Sequence, residues 1–263
     1  MSAINEPYRG KSTVKPALIA RTLSALPNTP RAAKTSINTC QDCRLNSLCL
    51  SKNLDDEGLA ALGKLIKTPS PLRKGKHLLR QGDNFGSLFL IRSGAVKSYS
   101  SSISGDELGV NFYLPGELIG LDGVYAGEHG SSIIALEDTF LCELPYRALE
   151  QLFDSHPSMQ RYFNEMLSRQ IVQEHAMTLM YSQKTADNQL VSFLTNLSQR
   201  FKRLKQSPVS LRLPMSRKDI AGCLGLAHET VSRLFSDFQH RNWIEVDGRE
   251  VKLVNLPSDG LTQ

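Results

Sequence analysis

The sequence predicts an α+β fold in three parts: an N-terminal β jelly roll, a long helix suited to dimerisation, and a C-terminal winged helix-turn-helix. Three observations predict it. Between Thr68 and Pro145, short apolar or alternating runs are punctuated by Gly75, Gly82, Gly86, Gly94, Gly105, Gly116 and Gly120, the pattern of many short strands joined by turns. From His156-Pro157 onward, apolar residues recur at three- and four-residue spacing as far as Tyr181. Residues 217–236, RKDIAGCLGLAHETVSRLFS, read as two helices around a glycine turn, and a hairpin signal follows them.

Taken in order, residues 1–36 are rich in Pro, Ser, Thr and basic residues with few apolar anchors, which predicts a disordered tail. Nothing there resembles a signal peptide, and no apolar run approaches the length of a membrane span. The chain is therefore expected in the cytoplasm, with no membrane partner. Thiols stay reduced in that compartment, so clustered cysteines point to metal or redox chemistry. Cys40, Cys43 and Cys49 form such a cluster, spaced C-x2-C-x5-C, and Cys142 stands alone far along the chain. Four thiolates are soft ligands that select zinc, copper(I) or an iron–sulfur cluster. Zinc sites usually pair two close C-x2-C units, whereas this arrangement is three plus one. Asn53 to Lys67 suits a short helix with Leu54, Leu59, Leu62, Leu65 and Ile66 on one face. Strand-sized runs follow at Ser87–Ile91, Ala95–Tyr99, Gly109–Leu114 and Phe140–Leu144. Residues 37–157 thus form one unit, the thiol segment with the roll.

Residues 158–184 form the long helix, for which Pro157 is a suitable start. Met159, Phe163, Met166, Gln170, Glu174, Met177 and Tyr181 form a coiled-coil-like seam, weakened by its two polar members. That seam predicts a homodimer interface; the plainer alternative is a helix packed on its own barrel. Residues 185–257 form the winged helix-turn-helix unit, opening with an amphipathic helix that carries Leu190, Phe193, Leu194, Leu197 and Phe201 on one face. Ile220, Ala221, Leu224 and Leu226 supply the first helix and turn, and Gly225 suits the positive φ of that turn. Val231 and Leu234 anchor the second helix, which leaves Glu229, Ser232 and Arg233 on its outward N-terminal side. That side enters a major groove, where Arg reads guanine, Glu accepts from cytosine and Ser adapts. Charge agrees: residues 198–252 hold eleven Lys and Arg against six Asp and Glu, whereas residues 98–146 hold eight acidic residues and no Lys or Arg. The C-terminal part is built to face double-stranded DNA.

Two function classes are excluded on the same grounds. A cyclic nucleotide buried in the roll needs a cation to offset its phosphate, and residues 98–146 offer none. The six histidines (His77, His129, His156, His175, His228 and His240) are scattered without a nucleophile–base spacing, so no enzyme is expected. Cys223 falls inside the first helix of the helix-turn-helix and reads as a small core residue.

With those residues in view, the chain from Cys40 to Asn255 resembles the CRP/FNR superfamily of bacterial transcription regulators, and most closely its FNR-type oxygen sensors. The resemblance rests on CQDCRLNSLC at 40–49, QGDNFGSLFLIRSGAVK at 81–97, PGELIG at 115–120, CELP at 142–145 and ETVSR at 229–233. It implies that the roll is a sensor domain of cyclic-nucleotide-binding type, and that Cys40, Cys43, Cys49 and Cys142 hold a [4Fe–4S] cluster favouring the DNA-binding dimer. It further implies that oxygen converts the cluster to a [2Fe–2S] form and that the dimer then separates. The family's E-x-x-S-R motif falls on Glu229, Ser232 and Arg233 and implies TTGAT-type inverted repeats as targets. RNA polymerase is the implied partner for activation, with the polar loop Ser101 to Glu107 as its candidate surface. Arg44 departs from the family, placing a cation where the best-known members have a small polar residue.

Overall fold

The computed structural model describes residues 40, 43–52, 54–101, 107–182 and 185–257. The expected tail 1–36 and residues 102–106 of the candidate polymerase loop lie outside the described residues.

The roll consists of two antiparallel sheets. One runs β1 (His77–Leu79), β6 (Ser132–Ala135), β3 (Val96–Ser101), β4 (Glu107–Tyr113); the other runs β5 (Leu118–Ile119), β2 (Ser87–Ser93), β7 (Phe140–Pro145). Strand β2 is apolar on both faces because both are covered. Phe89 and Ile91 point between the sheets with Val96, Ile119, Ile133 and Leu141. Leu88 and Leu90 point outward with Leu118, Cys142 and Leu144, beneath helices. The uninterrupted run Leu88–Ile91 thus reflects burial on two sides rather than a strand with one wet face.

Helices α1 (Asp56–Leu65), α3 (Tyr146–Ser155) and the start of α4 (Pro157–Tyr181) cover that outer face. Asp55 caps α1 by accepting from the Gly58 amide at 2.9 Å. Pro157 occupies the first turn of α4, where its missing amide is no loss. A further short helix, α2 (Asp122–Ala126), ends at Gly127 with φ 77°. Among the described residues, no helix is long and apolar enough to cross a membrane.

Part of the expected dimer seam is claimed by the chain's own core, the plainer alternative for those residues. Met159, Phe163 and Met166 are buried at 0%, 6% and 7% exposure within the chain's own core. Met177 is buried against the C-terminal part. Gln170 is half-buried, and Glu174, though exposed, accepts a 3.0 Å hydrogen bond from Asn111 of the same chain. Tyr181 is 42% exposed. The physical reason is the outer sheet face: Leu88, Leu90, Leu118 and Leu144 need a cover, and the apolar side of α4 provides it. On α4 the large apolar residues left in solvent, besides Tyr181, are Ile171, Val172 and Leu179.

The C-terminal part contains α5 (Ala186–Arg203), β8 (Ser210–Arg212), α6 (Arg217–Leu224), α7 (His228–His240), β9 (Ile244–Asp247) and β10 (Glu250–Leu253), with sheet order β8-β10-β9. It shares a core with the roll, for Ala95, Val110, Phe112, Leu114 and Leu136 pack with Met177, Leu190, Phe193, Ile220 and Cys223. Helix α6 lies close on β4, where a Cβ built at Gly222 would come within 3.1 Å of Val110 Cγ2. Lys97, only 8% exposed, bridges Glu107 of β4 and Asp219 of α6 at 2.5 and 2.8 Å.

Candidate functional site

Two constellations carry chemistry. The first is the thiol group. A succession of backbone turns, with Cys43 N bonded to Cys40 O, Asn46 N to Cys43 O and Cys49 N to Asn46 O, winds the three early cysteines into a compact segment. Cys142 lies in the middle of β7, opposite Leu90 of β2, on the outer sheet face. Cys49 and Cys142 are buried in one core and Cys40 packs against it. Burial pushes the Cys40 thiol up to about 11, with Cys49 and Cys43 adding to the effect. Burial likewise pushes Cys142 up to about 12, with Cys49, Cys40 and Cys43 contributing. Cys49 is raised for the same leading reason. Each thiolate therefore disfavours the next, and the group deprotonates together only against a compensating cation.

Four sulfurs in one neighbourhood fit a soft, four-thiolate group in number and chemistry. Among the described residues, no three His, Cys, Asp or Glu side chains converge closely enough to hold a metal ion. The thiols are neighbours without a closed cage, and all are free of disulfides. Arg44 is exposed. The cation that acts on Cys40 and Cys142 is instead Arg92, whose charge works against the upward shift of both thiols. The sequence reading missed Arg92. Its signal was register: it follows Leu90, the partner of Cys142, by two positions on β2.

The second constellation is helix α7, the candidate recognition helix. Ser216 and Asp219 form a reciprocal capping box at the start of α6. Gly225 ends that helix at φ 65°, and the Leu226 amide bonds back to Ala221 O at 3.0 Å. Val231, Leu234, Phe235 and Phe238 bury one side of α7. Arg217 stacks on Phe235, with its guanidinium 3.4 Å from the ring centroid. The opposite side leaves Glu229 and Arg233 exposed and Ser232 half-exposed in the first turns. Among the described residues neither Glu229 nor Arg233 has an ion-pair partner, whereas Arg241 is held by Asp187 and Asp237, and Lys252 by Glu245. The wing turns at Gly248, φ 57°, as Asp247-Gly248 predicted. Cys223 is fully buried in this unit beside Tyr181, and burial pushes it up to about 12.

Comparison with known proteins finds a match to the roll and to the helix-turn-helix part. The family model of the cyclic nucleotide-binding domain matches residues 69–156, and that of the Crp-like helix-turn-helix domain matches residues 188–258. The chain is 44% identical over 216 residues to the transcriptional activator protein Anr of Pseudomonas protegens, covering 82% of this chain and 88% of that protein. It is 38% identical over 224 residues to the fumarate and nitrate reduction regulatory protein of Escherichia coli, covering 85% and 89%. Among solved structures, FixK2 from Bradyrhizobium japonicum superposes with a TM-score of 0.63 at 25% identity, covering 72% of this chain and 92% of that one.

Proposed function

The chain belongs to the CRP/FNR superfamily as an FNR-type regulator, and from that premise we propose that it is an oxygen-responsive transcription activator whose four thiols hold a [4Fe–4S] cluster. One observation supports this reading above the others: Cys49 and Cys142 lie in one core with the first turns of α4, Cys40 packs against it, and Cys43 is near enough to act on Cys142. When bound, the cluster supplies reactivity toward oxygen. The protein's own part is positional. Holding a cluster, the thiols would tie Cys40 and residues 43–52 to β7, and the core there includes Met159, Tyr162, Phe163 and Met166 of α4. Arg92 offsets negative charge gathered on the sulfurs. Loss of thiolate ligation releases the segment that pads α4.

The dimer is proposed to form through the outward side of α4, where Ile171, Val172 and Leu179 are exposed, rather than through the buried methionines. Like other helix-turn-helix dimers it would read two half-sites, here TTGAT-type inverted repeats, with Glu229, Ser232 and Arg233 at the base edges. The division into tail 1–36, sensor 37–157, dimerisation helix 158–184 and DNA-binding domain 185–257 belongs to the same reading. So do a cytoplasmic location, RNA polymerase as partner and a roll that takes no cyclic nucleotide.

The test is a visible absorption spectrum with iron and sulfide analysis on protein purified without air. About four irons per chain with matching sulfide are expected. Stoichiometric zinc without sulfide would replace the cluster with a structural zinc site.

A further inference from the structure

Away from the thiols and the recognition helix, one cleft gathers positive charge. An open cleft lies between Leu48 of the thiol segment, the turn at Glu117, helix α4 and helix α5. Its lining includes three arginines and one carboxylate. Arg200 is the innermost, its side chain 10% exposed, and it donates to both Glu117 oxygens at 2.5 and 3.0 Å and to Phe112 O at 2.6 Å. Arg203 donates to Glu117 Oε1 at 3.2 Å from the cleft's edge, where its side chain is 39% exposed. Arg169 enters from α4. Its Nε bonds to Glu165 O at 3.4 Å and its guanidinium stands 5.3 Å from the Tyr162 ring. Its Nη2 is buried with no hydrogen-bond partner among the described residues.

Arg200 and Arg203 thus share the Glu117 carboxylate, and Arg169 brings a third cation to the same cleft. Burial, with Arg200 and Arg169 alongside, lowers the Arg203 pKa in spite of Glu117. A buried donor without a partner is costly, as is like charge held at close range. Even with Glu174 acting on Arg200 from the adjoining hollow, the lining keeps an excess of positive charge that suits a phosphate. Planar guanidinium forks match the oxygens of phosphate in pairs. Leu48 and Met166 add an apolar wall that could receive whatever carries the phosphate. This cleft borders α5, so it is distinct from the roll interior, and its donors are not the thiols or the reading residues.

We propose that this cleft binds a dianionic phosphate group, free or carried on a small metabolite, with Arg169 and Arg203 as its ligands and Arg200 fixing Glu117 beneath them. An occupant would bridge α4 and α5 and so report a second signal to the DNA-binding part.

The test is calorimetric titration of the full-length chain, at constant ionic strength in chloride, with inorganic phosphate and separately with adenosine monophosphate. Saturable one-to-one binding of at least one of them is expected. Arg169→Gln and Arg203→Gln should each weaken it tenfold or more. Arg169→Lys, which keeps the charge and loses the fork, should fall between, and Lys202→Gln, an exposed neighbour on α5, should bind as wild type. Circular dichroism melting confirms that each variant is folded. Tighter binding of the nucleotide identifies a carried phosphate, and tighter binding of inorganic phosphate identifies the free ion. No saturable binding of either, or wild-type binding by folded Arg169→Gln and Arg203→Gln, overturns the proposal.

Discussion

At the scale of single residues, the exposed pair on α7 makes the sharpest predictions. Arg233 is exposed and free of ion pairs among the described residues. Arg233→Ala should cost about 1–3 kcal/mol per half-site and relax preference at that base; competition binding against single-base variants of the site measures it. Loss of Lys218, an exposed cation on α6, should instead weaken all sequences alike and flatten the salt dependence. Glu229 tests the reading more severely, because a carboxylate near DNA is repelled unless a base donor meets it. Glu229→Ala should therefore lose discrimination, and uniformly tighter binding with unchanged preference would exclude a base-reading role. Among the cysteines, Ser in place of Cys40, Cys43, Cys49 or Cys142 should abolish iron retention. Cys223→Ser should retain it, since Cys223 is buried beside Tyr181 in a different core. Iron and sulfide content of the five variants decides.

At the scale of elements, α4 shows how a heptad-like pattern misleads. Three- and four-residue spacing records only that a helix has an apolar side. It does not say whether the matching surface belongs to another chain or to the same one. Here the outer sheet face claims Met159, Phe163 and Met166, and leaves Ile171, Val172 and Leu179 exposed. Val172→Glu should lower dimer content in protein purified without air, whereas Met159→Ala should act through fold stability, at about 2–5 kcal/mol for a fully buried methionine. Sedimentation velocity beside thermal melting separates the two effects. Glu174→Ala, attractive when Glu174 is taken as a seam residue, meets a different setting in the fold. Burial raises its pKa and Asn111 of its own chain binds it, so its removal should chiefly loosen α4 from β4.

At the scale of the whole molecule, the tie between the roll and the winged helix is the feature the sequence concealed. Glycine punctuation revealed the strands, and the capping and turn residues revealed the helix-turn-helix, because such signals are local. Lys97 and Asp219 lie far apart in the chain, and no spacing rule joins them. Burial works against the Lys97 charge, yet Asp219 and Glu107 hold its pKa above the usual value. Burial also opposes the Asp219 carboxylate, yet Lys97 and Ser216 hold its pKa below the usual value. The raised lysine contributes fully below 10.5 and its share is lost as pH rises through the higher folded value. The depressed carboxylate contributes above 3.8 and its share is lost as pH falls through the lower folded value. Docking should thus hold across the neutral range and loosen at both extremes. Lys97→Met should loosen it at neutral pH by about 1.5–3 kcal/mol, read as faster hydrogen exchange in β4 and α6.

Gly222 gives that tie a consequence for protein engineering. With a side-chain carbon at Gly222 coming within 3.1 Å of the Val110 methyl, tight enough that the methyl must give way, the two halves are mated surfaces rather than interchangeable cassettes. A chimera spliced near residue 185, with a foreign roll in front of this winged helix, would set unmatched residues against Gly222 and strip Phe193 and Ile220 of their neighbours. Such hybrids should melt in two separate steps, where the parent chain melts in one.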